Sequence, residues 1–307
     1  MRQPIIWILT AALIGGSCPP ARAGYSRGGS FATPGYGARA WGMGGAAVAL
    51  GADEGATFWN PALLSLLGRG RLGLSYVELV PGTDARHSYL AYARPVKRGI
   101  ADEPGMAFNE HALGLVYGNL LLDISDGRKY TENLLLIGYS YSPEYFVSFG
   151  ASAGVLLASS DVGEFDARGT TFTAGIRVVL LEKLALGVVL RNAFSYVMFD
   201  SGEDYALDRS LTIGLGVPLL KNATIEGDVV GAFGGIARVV LGGEAMFFSD
   251  LLALRGGISA VTAGENRVMP HMGIGVGFRS FRLDYNANFD SEEAFGTTHR
   301  FSLGAGI

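Results

Sequence analysis

The chain has 307 residues, of which 49% are apolar, only 17% are charged and 46 are glycine, with a formal charge of −4. Soluble domains carry about 25% charged residues, so this composition is poor for a water-exposed surface, yet it is too charged and glycine-rich for a bundle of membrane helices. No segment holds the roughly 18 consecutive apolar residues of a helical span, and the dispersed acidic charge argues against a nucleic-acid partner.

Residues 1–23 read as a secretory signal peptide. Arg2 supplies the positive start, Ile5–Ile14 the apolar centre, and Ala21-Arg22-Ala23 an A-x-A cleavage site. That centre falls well short of the ~20 residues of a spanning helix. Cys18, the only cysteine, offers a rival lipoprotein reading, but Gly15-Gly16-Ser17 before it lacks the usual leucine. Cleavage after Ala23 leaves no thiol or disulfide. It also removes Arg2 and Arg22, taking the formal charge from −4 to −6.

Residues 24–70 form a separate unit that cannot fold alone. Gly42, Gly44, Gly45 and Gly51 give the backbone freedom and close approach. Asn60-Pro61 reads as a helix start, Asn60 capping free N–H groups and Pro61 sitting where its missing N–H costs nothing. The helix expected from Pro61 to Leu67 is apolar all round and about two turns long, so it needs burial on most sides.

From Arg71 to the C-terminus, residues 71–307, the period is two. Leu211, Ile213, Leu215, Val217 and Leu219 alternate with Ser210, Thr212, Gly214, Gly216 and Pro218. The same pattern recurs over 171–180, 269–278 and 281–290, always with one greasy face and one that is small or polar. A soluble sandwich would carry Lys and Glu on its polar face. A greasy outer face over a small, polar inner one is instead the pattern of an outer-membrane barrel. Fourteen segments are expected, near 71–80, 86–96, 108–118, 132–141, 145–157, 169–180, 183–195, 208–219, 222–232, 237–248, 251–262, 268–279, 281–289 and 298–307. An even number of strands closes an antiparallel barrel without an edge.

The connections alternate in length. Tight turns are expected at Ser142–Glu144, Leu181–Glu182, Leu220–Lys221, Ser249–Asp250 and around Ser280. Longer loops are expected at Leu120–Thr131, Ala158–Arg168, Tyr196–Leu207, Ala263–Arg267 and Asp290–Thr297. Only Lys97–Ala107 is longer than its side predicts. Aromatic residues near strand ends, among them Tyr139, Tyr141, Phe194, Tyr196, Phe278 and Phe281, suit interfacial girdles.

Fourteen strands enclose a lumen too wide for small side chains to fill, and residues 24–70 are the natural filler. Inward ionisable residues of both signs, Arg177, Glu226, Asp228, Arg238, Glu244, Arg255, His271, Arg279, Arg282 and Asp284, read as a salt-bridge network holding that plug. Arg39 is expected to pair with Glu226, Asp228 or Glu244. His87, His111, His271 and His299 lack metal-ligand spacing, no Ser–His–Asp set converges, and Gly42-x-Gly44 follows no βαβ strand. The expectation is no catalysis, no metal and no cofactor.

The run Gly37-Ala38-Arg39-Ala40-Trp41-Gly42-Met43-Gly44-Gly45-Ala46, followed by Ala56-Thr57-Phe58-Trp59-Asn60-Pro61-Ala62-Leu63, resembles the N-terminal hatch signature of FadL-type outer-membrane barrels. Later pieces, Leu186–Asn192, Leu254-Arg255-Gly256-Gly257 and Thr298–Gly304, resemble the PorV/PorQ branch. This resemblance covers nearly all of the mature chain. It implies an all-β fold: a 14-stranded antiparallel transmembrane β-barrel with an N-terminal luminal hatch, in the bacterial outer membrane. The hatch motif would be Arg39, Gly42, Met43, Gly44, Gly45, Trp59, Asn60 and Pro61.

Two functions follow from the resemblance. A PorV/PorQ-like barrel is an accessory of protein secretion, with secretion-system components or exported cargo as partners besides outer-membrane lipid. A FadL-type channel passes hydrophobic small molecules such as fatty acids. The expected loops reach only about a dozen residues and are acidic at Asp161, Glu164, Asp166, Glu203, Asp204 and Asp208. No greasy capture groove can be built from them, which turns the sequence reading toward the accessory role. The terminal Ile307 also departs from the aromatic usual at the end of such barrels.

Overall fold

The computed structural model describes residues 35–79, 85–100, 107–125, 127–161, 163, 165–181, 183–202, 204–232, 235–262, 267–289 and 297–307. The expected signal peptide, Cys18, Glu164, Glu203 and most of the loops at 263–267 and 290–297 lie outside these residues.

Alternation becomes a closed wall. The strands are β1 (Arg71–Glu78), β2 (Arg86–Ile100), β3 (Ala107–Ser125), β4 (Arg128–Glu144), β5 (Val147–Ser160), β6 (Ala167–Val179), β7 (Ala185–Phe199), β8 (Asp204–Tyr205), β9 (Ser210–Leu220), β10 (Ala223–Ala232), β11 (Gly235–Phe247), β12 (Leu252–Val261), β13 (Arg267–Phe278), β14 (Phe281–Phe289) and β15 (Thr297–Gly306). Each pairs antiparallel with its sequence neighbour, β7 pairs β9, and β15 returns to β1, Tyr76 opposite Phe301. The two-residue β8 adds to β7 alone, so fourteen of the fifteen strands form the ring. Closure leaves this ring without an open sheet edge, as a lipid setting requires.

The greasy face points outward. Leu215 is 48% exposed and Met272 63%, with Ile213, Ile274, Phe281 and Leu283 alike. Tyr139, Tyr141, Phe194, Tyr196 and Phe278 also face out. The opposite positions, such as Thr212, Arg177 and Glu226, are buried.

Three expectations are corrected. The dozen-residue loop at Leu120–Thr131 is mostly strand, because Leu121 pairs Thr131, Leu122 pairs Tyr130 and Asp123 pairs Lys129. The turn closes at Gly127, at φ 75°, and the Asp126-Gly127 dipeptide is the hairpin signal that sequence reading passed over. The turn expected at Ser142–Glu144 lies two residues later, since Glu144 pairs Val147. The register slips between Tyr141 and Glu144, where Pro143, which has no N–H to give, falls outside the β4–β5 ladder, and the Ser142 hydroxyl donates to the carbonyls of Glu144 and Val147. Arg279, expected inside, is exposed in the turn at φ 56°.

The long 97–107 connection has a physical reason. β2 and β3 run on past a register shift at Pro95–Arg98 and still pair Gly99 with Phe108. This extension holds the end of the plug: Arg98 donates to the Gly68 carbonyl at 3.0 Å, and Asn109 donates to the carbonyls of Ser65, at 2.9 Å, and Leu67.

Candidate functional site

Residues 35–67 sit inside the ring. They fold as α1 (Ala38–Gly42), α2 (Ala56–Trp59) and a 3-10 helix (Pro61–Leu66), joined by irregular backbone. The two short α-helices were not expected from sequence, which offers no cap for either. The helix expected over Pro61–Leu67 is present as a tighter turn. Asn60 caps it by accepting from the Ala62 N–H at 3.0 Å, and its amide donates to the Val48 carbonyl at 2.7 Å.

The glycines of the signature have distinct tasks. Gly44 and Gly45 take φ of 74° and 91°. The Gly45 N–H reaches the Ala40 carbonyl at 2.9 Å and the Gly44 N–H that of Trp41 at 3.0 Å, a Schellman end to α1. Gly42 lies against the wall, where an added Cβ would meet Arg255 and Gly273 at 3.2 Å.

The wall answers with glycines of its own. A Cβ on Gly150, Gly187, Gly242 or Gly257 would come within 3.0 Å of plug backbone, at Ala62, Val48 and Met43. The small inward face therefore does not leave an open pore; it lets plug backbone pack directly on strand backbone.

The polar residues form a continuous chain from plug to wall. Arg39 donates to Glu244 at 2.9 Å, Glu244 accepts from Arg255 at 2.5 Å, Arg255 donates to Asp284 at 2.8 Å, and Arg282 reaches the same carboxylate at 3.1 Å. Within the plug Arg39 also meets Asp53 at 3.4 Å. The neighbouring carboxylates raise the Arg39 pKa further above its ordinary range, outweighing the effect of burial. Glu226 and Asp228 bind plug backbone instead. Glu226 accepts from the N–H groups of Ala49 and Leu50, at 2.6 and 3.1 Å, and Asp228 from that of Ala47 at 3.1 Å. Arg177 donates to the Ala49 carbonyl at 3.2 Å. His271 stands apart, bonded to Ser259 and Asn288 at 2.9 and 2.8 Å.

A cavity of about 290 Å³ lies between plug and wall. The plug gives it Trp41, Phe58 and Trp59, packed edge to face with Trp41–Trp59 centroids at 6.2 Å and Phe58–Trp59 at 5.4 Å. The Trp59 indole is fixed by donating to the Tyr36 carbonyl at 2.8 Å. The wall gives Arg191, Thr212, Asp228, Val230 and Arg238. Phe58 and Trp59 belong to an inward apolar cluster that includes Val116, Leu134, Leu136, Leu156, Val197 and Leu207, with Trp41 packed against it. Sequence reading missed Arg191 as a site residue. β7 breaks its alternation at Asn192, at φ 53°, and that break marks the place.

No family model and no curated protein matches the sequence. Solved structures do. The P. putida toluene transporter TodX superposes with a TM-score of 0.65 at 14% identity, covering 89% of this chain and 99% of that one. The chain shares its fold with these channels. The monoaromatic hydrocarbon channel CymD gives a TM-score of 0.65 at 13% identity, covering 89% and 98%. A FadL homologue of Pseudomonas aeruginosa gives 0.59 at 12%, covering 89% and 98%. The fold is thus the 14-stranded antiparallel barrel expected from sequence, shared with these structures.

Proposed function

We propose that this protein is a non-enzymatic channel of the bacterial outer membrane for small hydrophobic molecules. The observation that carries the reading is the cavity walled by Trp41, Phe58 and Trp59, set against the apolar interior of β3–β7. Apolar surface lining a luminal cavity is suited to a greasy solute leaving water. The apolar, girdled outer face supports the membrane setting, and the likeness to TodX, CymD and the FadL homologue supports both.

Of the two functions the sequence suggested, the channel is favoured over the export accessory. The expected loops offer no grease outside, whereas Trp41, Phe58 and Trp59 carry it inside. The plug in this picture is a gate, shifted locally while its ion chain holds.

Cells expressing the protein should take up labelled toluene faster than vector controls. Ser210→Trp, which fills the cavity from β9, should return uptake to the control level while the folded barrel is retained on unheated gels. Equal uptake with and without the protein would overturn the channel reading, and copurification with secretion components would revive the accessory one.

A further inference from the structure

The cavity is not purely apolar, and the imbalance has a sign. Arg191 from β7 donates to the carbonyls of Phe58 at 2.8 Å and Trp59 at 3.3 Å, with its guanidinium 4.6 Å from the Phe58 ring centroid. Arg238 from β11 stands 5.8 Å from the Trp41 ring. The one acid on this cavity wall is Asp228, whose Oδ2 accepts from the Ala47 N–H at 3.1 Å while its Oδ1 has no hydrogen-bond partner among the described residues, so the two guanidinium groups of the wall outnumber its carboxylate. Among the described residues, Arg191 has no carboxylate within ion-pair distance.

A half-buried guanidinium satisfied only by carbonyls and a ring face remains a net positive charge beside apolar rings. Such a charge is costly unless an anion meets it. The planar fork of arginine is shaped for a carboxylate. Three aromatic rings on the plug side favour another ring. Size agrees: an apolar cavity of about 150 Å³ takes a benzene, so about 290 Å³ has room for one substituted ring.

We infer that this cavity binds small aromatic monocarboxylates, ring against Trp41, Phe58 and Trp59 and carboxylate toward Arg191 and Arg238. The inference rests on the channel reading and narrows its solute from neutral hydrocarbon to aromatic acid.

The chain has 3 tryptophans, Trp7 in the expected signal peptide and Trp41 and Trp59 at the cavity, so the emission of the mature protein reports this site directly. Purified barrel in detergent would be titrated with p-toluate, toluene and p-methylbenzylamine, which share a ring and differ in charge. The expected result is quenching by p-toluate with a Kd at least tenfold below that of toluene, and by p-methylbenzylamine more weakly than by toluene. Arg191→Met should abolish the preference for the acid, and Arg191→Lys, which keeps charge but not the fork, should restore part of it. Toluene quenching as tightly as p-toluate would overturn this inference and leave the channel reading standing. Quenching by none of the three would overturn both. A preference for the acid that persists in both Arg191 variants would overturn the role of Arg191.

Discussion

Arg39 and Glu244 are 205 residues apart in the chain and 2.9 Å apart in the lumen. Their contact joins the plug to a wall network in which Arg255 and Asp284 continue the alternation of sign. Removing one partner of a buried pair leaves the other charge uncompensated, at a cost of about 3–5 kcal/mol. Glu244→Leu should therefore destabilise the plug by about that amount in urea titrations followed by tryptophan emission. Asp53→Asn, at the more exposed contact of Arg39, should cost less than about 1 kcal/mol. Equal effects of the two substitutions would remove Glu244 from its place at the centre of the anchorage.

The wall glycines predict a sharp positional contrast. Gly242→Ala sets a methyl group against the Met43 carbonyl, whereas Gly256→Ala meets nothing within 4 Å. Overpacking of this kind costs about 1–3 kcal/mol. Limited proteolysis should cut residues 38–66 in the Gly242 variant and spare them in the Gly256 variant. Equal protection would mean that the plug does not seat on strand backbone.

Glu54 gives the plug a pH dependence. It pairs with Arg71 at 3.0 Å, yet burial first, and then neighbouring Asp53, hold its carboxyl up to about 7 against an ordinary 4.5. The folded state thus binds the proton more tightly than the unfolded one. Its contribution is complete below pH 4.5 and is lost as pH rises through about 7. Plug stability should fall between pH 5 and pH 8 by on the order of 1–3 kcal/mol, and Glu54→Gln should flatten that slope. Identical pH profiles for the two proteins would assign the dependence elsewhere.

The outer face supplies a membrane test. Leu215→Arg, at mid-strand in β9, should destabilise by about 2–4 kcal/mol in refolding into lipid vesicles. A lumen-facing change at Gly216 is no neutral control, as the alternation alone would suggest, since a Cβ there meets Leu50. Gly256→Ala, on the outward face with nothing within 4 Å of an added Cβ, is the neutral control. If Leu215→Arg refolds as well as wild type, the outward face does not meet lipid.

Much of this architecture was legible in the residues. Period-two alternation is a local property of a strand, so Leu211–Leu219 and Phe281–Phe289 declared their two faces without reference to any neighbour. The cap at Asn60, the Pro61 start and a luminal acid for Arg39 were equally local or forced by charge. The strand ends were less legible, because polar residues such as Asp123 and Lys129 look like loop until their cross-strand partners are known.

What the sequence determined alone was a closed, plugged, greasy-outside barrel, since alternation, glycine content and the Asn60-Pro61 signal each act within a few residues of chain. Tertiary structure decided which acid meets Arg39, why the inward glycines are glycines, and that Trp41, Phe58 and Trp59 face Arg191 across a cavity. Those relations depend on the circumference and register of the ring, which bring β7 and β11 against a plug more than a hundred residues earlier, and no local pattern encodes an opposition across the lumen.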